Sequence, residues 1–247
     1  MCGRYSITTP VEGLRQIFLF EELPNLAPRY NVAPTQEVPV VRLESAGEGG
    51  RHLRMLRWGL IPSWAKDRKI AYKTINARAE TVAEKPSFRA AFRQRRCLIL
   101  ADGFYEWRKA GEAKQPYRIV LADRGPFAMA GLWESWRDPA DGSLVESCTI
   151  IVTEANAYLS RLHHRMPVIL APEDHGAWLD PAAEAGSLQA LLRPFEAAPM
   201  VAFPISSHVN KPANDDAQCI EAVGNEIAEE IAEEIAGADL DVQRRLI

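Results

Sequence analysis

The chain lacks several features that would direct it elsewhere. No apolar run approaches the roughly 18–20 residues that a membrane span requires, so no membrane association is expected. The opening Met1-Cys2-Gly3-Arg4-Tyr5 contains no apolar h-region, so no signal peptide is expected either. The four cysteines, at positions 2, 97, 148 and 219, form no C-x-x-C pair, and a reduced cytoplasmic protein follows as the default. His163-His164, Asp174-His175 and His208 are too scattered to compose a zinc site, so neither a metal nor a cofactor is expected. No internal linker divides the chain, and no long helices separate its strand-like runs, which argues against a parallel α/β sheet.

What the chain does contain is enough to build a core. Its 247 residues are 47% hydrophobic and include six Trp and eight Phe, which excludes a disordered body. The formal net charge of −4 conceals an asymmetry: residues 1–137 hold 23 Lys/Arg against 14 Asp/Glu, and residues 138–247 hold 6 against 19. Residues 51–97 alone hold 13 basic against 3 acidic side chains. Such a stretch is either an electrostatic footprint for a polyanion or a set of solvated faces, and charge counts alone favour the second.

Periodicity predicts a short amphipathic helix over 11–20, with Leu14, Ile17 and Phe18 on one side. An extended Pro-punctuated loop over 27–34 and a second loop over 59–64 are predicted, with strands at 38–43 and 53–58 joined by a turn at 47–50. A basic helix over 85–96 precedes strands at 96–100, 104–108, 116–121, 127–133 and 146–153; short helices follow at 173–179 and 187–192. The fold class is α+β: β-rich, a mostly antiparallel sheet or open barrel with peripheral helices. One domain is expected over 1–220. Residues 221–247 form an acidic extension, in which Ile227, Ile231 and Ile235 recur every four residues as a helical stripe opposite glutamates.

Cys2 carries the first chemical signal. Methionine is normally removed before a small second residue, and removal leaves an α-amine and a thiol on one residue. Both titrate near pH 8, so useful fractions of both nucleophiles exist at neutral pH. Such a 1,2-aminothiol closes a thiazolidine on an aldehyde, or its thiol attacks a carbonyl as in N-terminal nucleophile hydrolases; a third reading is an incidental buried thiol. Asn76 and Arg78, two residues apart in an extended stretch, project from one face. Glu106 stands between aromatic residues on a predicted strand, where an apolar setting raises a carboxyl pKa and suits it to acid–base work; alone, it also reads as a surface Glu on an edge strand.

Six segments taken in order, Met1–Tyr5, Arg29–Pro34, Trp58–Trp64, Asn76–Thr81, Arg96–Trp107 and His163–Pro167, resemble the SOS response-associated peptidase (SRAP) family over roughly residues 2–220. The resemblance implies a sensor of abasic sites in single-stranded DNA, in which an exposed Cys2 forms a thiazolidine with the ring-opened sugar aldehyde. It implies that Asn76 holds the N-terminus or sugar and that Glu106 is the acid–base residue. It further implies that His163, the histidine that matches the family pattern by its spacing to Arg165-Met166-Pro167, assists proton transfer and crosslink reversal. Arg4 and Arg78 would clamp flanking phosphates. Trp64, Trp107 and the Pro34 loop would form a stacking or wedge surface, and the 51–97 stretch would add salt-dependent affinity. AP-lyase activity, autopeptidase activity removing whatever precedes Cys2, and a monomeric state are further expectations. Two alternatives stay open: an N-terminal cysteine amidohydrolase on a small substrate, and a non-covalent single-stranded DNA-binding module.

Overall fold

The segment Arg96-Cys97-Leu98-Ile99-Leu100-Ala101 shows no polar alternation, and a strand apolar on both faces must be covered on both. In the computed structural model, which describes residues 2–44, 50–111 and 113–227, every residue of that strand is buried. The strands and helices run in the order β1 (Tyr5–Ile7), α1 (Val11–Phe18), β2 (Arg29–Val32), β3 (Glu37–Leu43), β4 (Arg51–Trp58), β5 (Asn76–Arg78), α2 (Arg89–Gln94), β6 (Arg96–Ala101), β7 (Gly103–Ala110), β8 (Ala113–Leu121), β9 (Phe127–Arg137), β10 (Leu144–Glu154), β11 (Arg165–Pro167), β12 (Ile169–Leu170), α3 (Asp174–Leu179), α4 (Ala185–Ala190) and β13 (Met200–Pro204). None of the described helices is long and apolar enough to cross a membrane.

Strand β6 lies between β3 and β9, and α3 covers its outer side, where Trp178 Nε1 donates to the Cys97 carbonyl at 3.0 Å. Its single charged residue is used internally: the Arg96 guanidinium donates to carbonyls at the ends of α2 and α3, satisfying acceptors that a helix C-terminus leaves open. Strands β4, β3, β6, β9 and β10 pair in succession, and β10 returns to β4 in parallel through Ser147↔Arg57 and Cys148↔Trp58. The barrel therefore closes, which removes the edges an open one would leave. The parallel β4–β10 and β5–β10 pairs are exceptions to the antiparallel rule. A second, antiparallel sheet has the order β13-β8-β7-β1-β2.

Three local expectations are revised. The 27–34 segment contains β2, because Arg29–Val32 finds a partner in β1. The basic helix shrinks to Arg89–Gln94, because Pro86 disfavours helical backbone at Lys85 and the chain turns there instead. In α1 the buried side is Val11, Leu14 and Phe18, while Ile17 faces solvent; the helix ends where Leu19 enters the left-handed region at φ 60°. The 47–50 turn and the glutamate–isoleucine repeat fall largely outside the described residues.

The two sheets meet at Asp102, between β6 and β7. Its carboxylate accepts from Ser6 Oγ (2.7 Å), Thr8 Oγ1 (2.7 Å), the Thr8 and Thr9 backbone N–H groups and Arg118 Nη2 (3.2 Å). Gly103 is required beside it, since a Cβ there would meet Arg118 Nε at 2.7 Å and Ser6 Oγ at 3.0 Å. Asp102→Ala leaves the Arg118 guanidinium buried without its counter-charge and should lower the free energy of unfolding by about 3 kcal/mol. Urea unfolding measures this, and a loss within experimental error of zero would refute the anchoring role.

Candidate active site and nucleic-acid interface

Strand β1 is a short segment trapped between β2 and β7, and it carries the chain's first residues to the middle of the second sheet. Beyond the pairing Tyr5↔Phe104, the Tyr105 N–H donates to the Arg4 carbonyl at 3.0 Å, so the first residues stay against β7. The charges of Cys2 and Glu106 influence each other.

Burial decides the protonation states. The Cys2 residue is 0% exposed, packed in the main core. Burial pushes its thiol well up, the Glu106 carboxylate pushes it further, and the positive chain terminus and the Arg4 backbone N–H oppose this. The resemblance implied an exposed thiol; here it is enclosed because β1 is an inner strand. Burial raises Glu106 to about 7, against the charge of the chain's amino terminus and the hydrogen bond between them. His163 is pushed down by burial first and then by that same amino-terminal charge. Its Nδ1 lies 3.0 Å from the Arg165 backbone nitrogen and 3.2 Å from the Arg165 carbonyl oxygen, so either ring tautomer finds a partner there. The thiol, the carboxyl and the imidazole therefore share one electrostatic neighbour, the amino terminus.

Asn76 and Arg78 reach the region on β5, which pairs with β10 at Ile150 and Val152. Strand β11 pairs with the same end of β10, and Arg165 just after His163 pairs with Glu80 just after β5. Asn76 Nδ2 donates to the Ile75 carbonyl at 3.0 Å, whereas its buried Oδ1 has no partner among the described residues. Arg78 is exposed and has no ion-pair partner among them. Arg4 behaves differently: its Nη1 donates to Asn31 Oδ1 (2.7 Å) and the Val209 carbonyl (2.8 Å), both neutral acceptors. Its charge is consequently half-buried with no carboxylate partner among the described residues.

Trp107 is partly buried and donates through Nε1 to Asn210 Oδ1 at 2.7 Å, whereas Trp64 is 58% exposed. Pro34 precedes Thr35, held at φ 77° with its N–H donating to the Trp58 carbonyl at 2.8 Å; a β-branched residue in that region is strained. The 51–97 basic stretch thins out in three dimensions. Arg54 pairs with Glu22 and Glu44, Arg68 with Asp138 and Arg95 with Glu134, while Arg57 and Arg96 serve carbonyls.

Sequence reasoning passed over the residues that hold these groups in place. Asn31 Nδ2 donates to the carbonyls of Val209, Lys211 and Asn214, and Asp215 accepts from the Tyr30 and Asn31 N–H groups and from Arg29. Asn31 lies inside the Arg29–Pro34 segment, whereas Asp215, some 180 residues away, has no local pattern that marks it. Among the described residues one group of metal-capable donors assembles, His208, Asp216 and Cys219, with ligand atoms within 4.8 Å. Both His208 nitrogens already engage protein groups, Nε2 with Asp216 Oδ2 at 3.0 Å and Nδ1 with Asn214 Nδ2 at 3.1 Å, so the group braces the 206–220 segment.

A closed barrel abutting a second sheet, with thiol, carboxyl and imidazole gathered on the chain's amino terminus, defines a narrow class of protein. The SOS response associated peptidase (SRAP) family model matches residues 1–212, and the chain belongs to that family. The abasic site processing protein YoqW of Bacillus subtilis is 44% identical over 227 residues, covering 90% of this chain and all of that protein. The abasic site processing protein HMCES of Xenopus tropicalis is 32% identical over 268 residues, covering 90% of this chain and 78% of its own. A crystal structure of a Bacteroides thetaiotaomicron protein superposes with a TM-score of 0.82 at 29% identity, over 90% of this chain and all of that one.

Glu106 makes stability depend on pH. Its folded-state pKa of about 7 lies above the ordinary carboxyl value, so the folded chain holds a proton that the unfolded chain has released. Its contribution is full below about pH 4 and is lost as pH rises through 7, by up to about 3 kcal/mol. Glu106→Gln should abolish that loss, so thermal unfolding at pH 5 and pH 8 should show the variant gaining on the parent at the higher pH. Parallel curves would refute the raised pKa.

Proposed function

We propose that the protein captures abasic sites in single-stranded DNA covalently through Cys2, after removal of Met1. The observation that supports this reading is that the Cys2 thiol, the Glu106 carboxyl and the His163 imidazole all feel the charge at the chain's amino terminus, so that acid–base groups serve the chain end whose amine and thiol would attack an aldehyde. Hydrolysis of the Met1–Cys2 bond gives Cys2 its own α-amine. That amine adds to C1 of the ring-opened sugar, and the carbinolamine loses water to give an imine. The Cys2 sulfur then adds to the imine carbon, the thiol proton passes to nitrogen, and a thiazolidine closes.

Glu106 suits the proton transfers because a group titrating at about 7 both gives and takes a proton at neutral pH. In its protonated form it helps open the sugar hemiacetal and protonates the departing hydroxyl of the carbinolamine; as a carboxylate it recovers a proton from the amine. His163, kept neutral by burial, relays protons without adding charge beside the amine. Asn76 offers its unpartnered Oδ1 to the sugar or the amine. Arg78 and the uncompensated charge of Arg4 attract the flanking phosphates, and Trp64 and Trp107 offer faces to neighbouring bases. Relatives named for abasic site processing support this reading. Strand cleavage beside the lesion, which proceeds from the imine formed by that amine, and self-removal of residues preceding Cys2, which uses the thiol and the acid–base groups before the amine is freed, belong to the same proposal.

On a denaturing gel, abasic single-stranded DNA should give a heat-stable shifted band that Cys2→Ala abolishes. Turnover of a small amide without any adduct would instead favour an amidohydrolase, and salt-sensitive binding without preference for the lesion a binding module. Glu106→Gln should slow adduct formation at least tenfold while changing DNA affinity less than twofold, on the scale typical of a lost acid–base group. An unchanged capture rate would remove Glu106 from the chemistry. For Arg78→Ala, binding should weaken across sequences, with a salt dependence smaller by about one phosphate contact.

A further inference from the structure

The segment joining β4 to β5 is built as a platform. Its inner side, Ile61, Ala65, Ala71 and the partly buried Ile70, packs on Trp136. Trp136 Nε1 donates to the Ala65 carbonyl at 2.7 Å, and Thr74 Oγ1 donates to the Leu60 carbonyl at 2.6 Å. Asp67 caps the short 3-10 helix Arg68–Lys73 by accepting from the Lys69 N–H at 2.8 Å. Arg68 reaches across to Asp138 and Ser143. Gly59, at φ +120°, lets this helix approach closely, since a Cβ there would lie 2.8 Å from the Ala71 carbonyl oxygen.

The outer side of this anchored segment has the opposite character. Tyr72 is 67% exposed, and it and Trp64 are the large exposed aromatics among the described residues. Lys66, Lys69 and Lys73 are exposed between and beside them and have no ion-pair partner among the described residues. A single exposed aromatic carries no message, because folded surfaces hold many. Two aromatics interleaved with three unpaired ammonium groups on a rigid mount present stacking faces together with phosphate-neutralising charge. Tyr72 is four residues from Asn76, so their Cα atoms are at most about 14 Å apart, the span of about four stacked nucleotides.

We infer that Tyr72, Lys69 and Lys73 form a second single-strand subsite, which extends the Trp64 surface and holds nucleotides flanking the one at Cys2. A base stacks on the Tyr72 ring, and the two lysines neutralise the adjoining phosphates. The inference rests on the single-stranded DNA reading above, and its test is separable from that of the covalent chemistry.

Binding is read by fluorescence anisotropy with undamaged oligothymidylate, and capture by denaturing gel with abasic strands, using the full chain. Tyr72→Ala should weaken binding of a strand of about 20 nucleotides roughly tenfold, while Tyr72→Phe keeps the stacking face and the affinity. The Lys69→Ala/Lys73→Ala pair should flatten the salt dependence by about 1.4 log units per decade of salt. A single abasic nucleotide carrying only its own phosphates offers no base to Tyr72, and at saturation Tyr72→Ala should capture it at the parental rate. Parental affinity of Tyr72→Ala for the long strand, or equal weakening in Tyr72→Phe, would overturn the subsite and leave covalent capture standing. Absence of any adduct from the parent protein, with the Tyr72→Ala binding defect intact, would overturn capture and leave the subsite standing.

Discussion

The carboxylate of Asp102 is the interaction on which the site depends. Strand β1 has only three residues and a few backbone hydrogen bonds, too little to hold a chain end inside a protein. Asp102 supplies the rest by accepting from Ser6, Thr8 and Thr9 at once, with Arg118 balancing the buried charge. Gly103 leaves the room these groups occupy. Because the same residue joins β6 of the barrel to β7 of the second sheet, one charge network fixes the N-terminus, the sheet junction and the strand that bears Glu106. The position of Cys2 is a consequence of that network.

Around the amino terminus, burial and charge oppose each other. Burial raises the thiol and the carboxyl and lowers the imidazole; the positive terminus resists the first two shifts and adds to the third. The outcome is a carboxyl near neutrality and an imidazole biased toward its neutral form. A carboxyl in that range both gives and takes a proton at neutral pH, and a neutral imidazole adds no positive charge. The arginine surface follows similar economy, since most guanidinium groups of the 51–97 stretch are held by carboxylates or carbonyls. Lysines on the β4–β5 platform and Arg78 are exposed and have no ion-pair partner among the described residues.

Much of this was legible from residue patterns. Strands β3, β4 and β6 to β10 fall where β-branched and aromatic runs bounded by turn residues place them, because such runs have few other ways to be buried. The six ordered segments sufficed for the family. Other features were not legible. A parallel return of β10 to β4 closes the barrel, and no local signal announces a pairing some 90 residues apart. Strand β2 looked like loop because Pro28 and Pro34 bracket it, and Ile17 looked buried because helical periodicity does not say where the neighbouring sheet ends. Charge counting overstated the basic face, since ion-pair partners such as Glu22 and Glu134 lie far off in sequence.

Composition and order of residues by themselves determined a β-rich α+β chain, its family, and a short set of candidate chemical groups, because those properties reside in local pattern and in motif identity. The tertiary structure alone decided that Cys2 is an inner, buried thiol, that Glu106 titrates near neutrality, that Arg4 is held by neutral acceptors, and that Tyr72 stands outward on an anchored platform. Those properties depend on desolvation and on charges brought together across the chain, quantities that exist only once distant segments have packed.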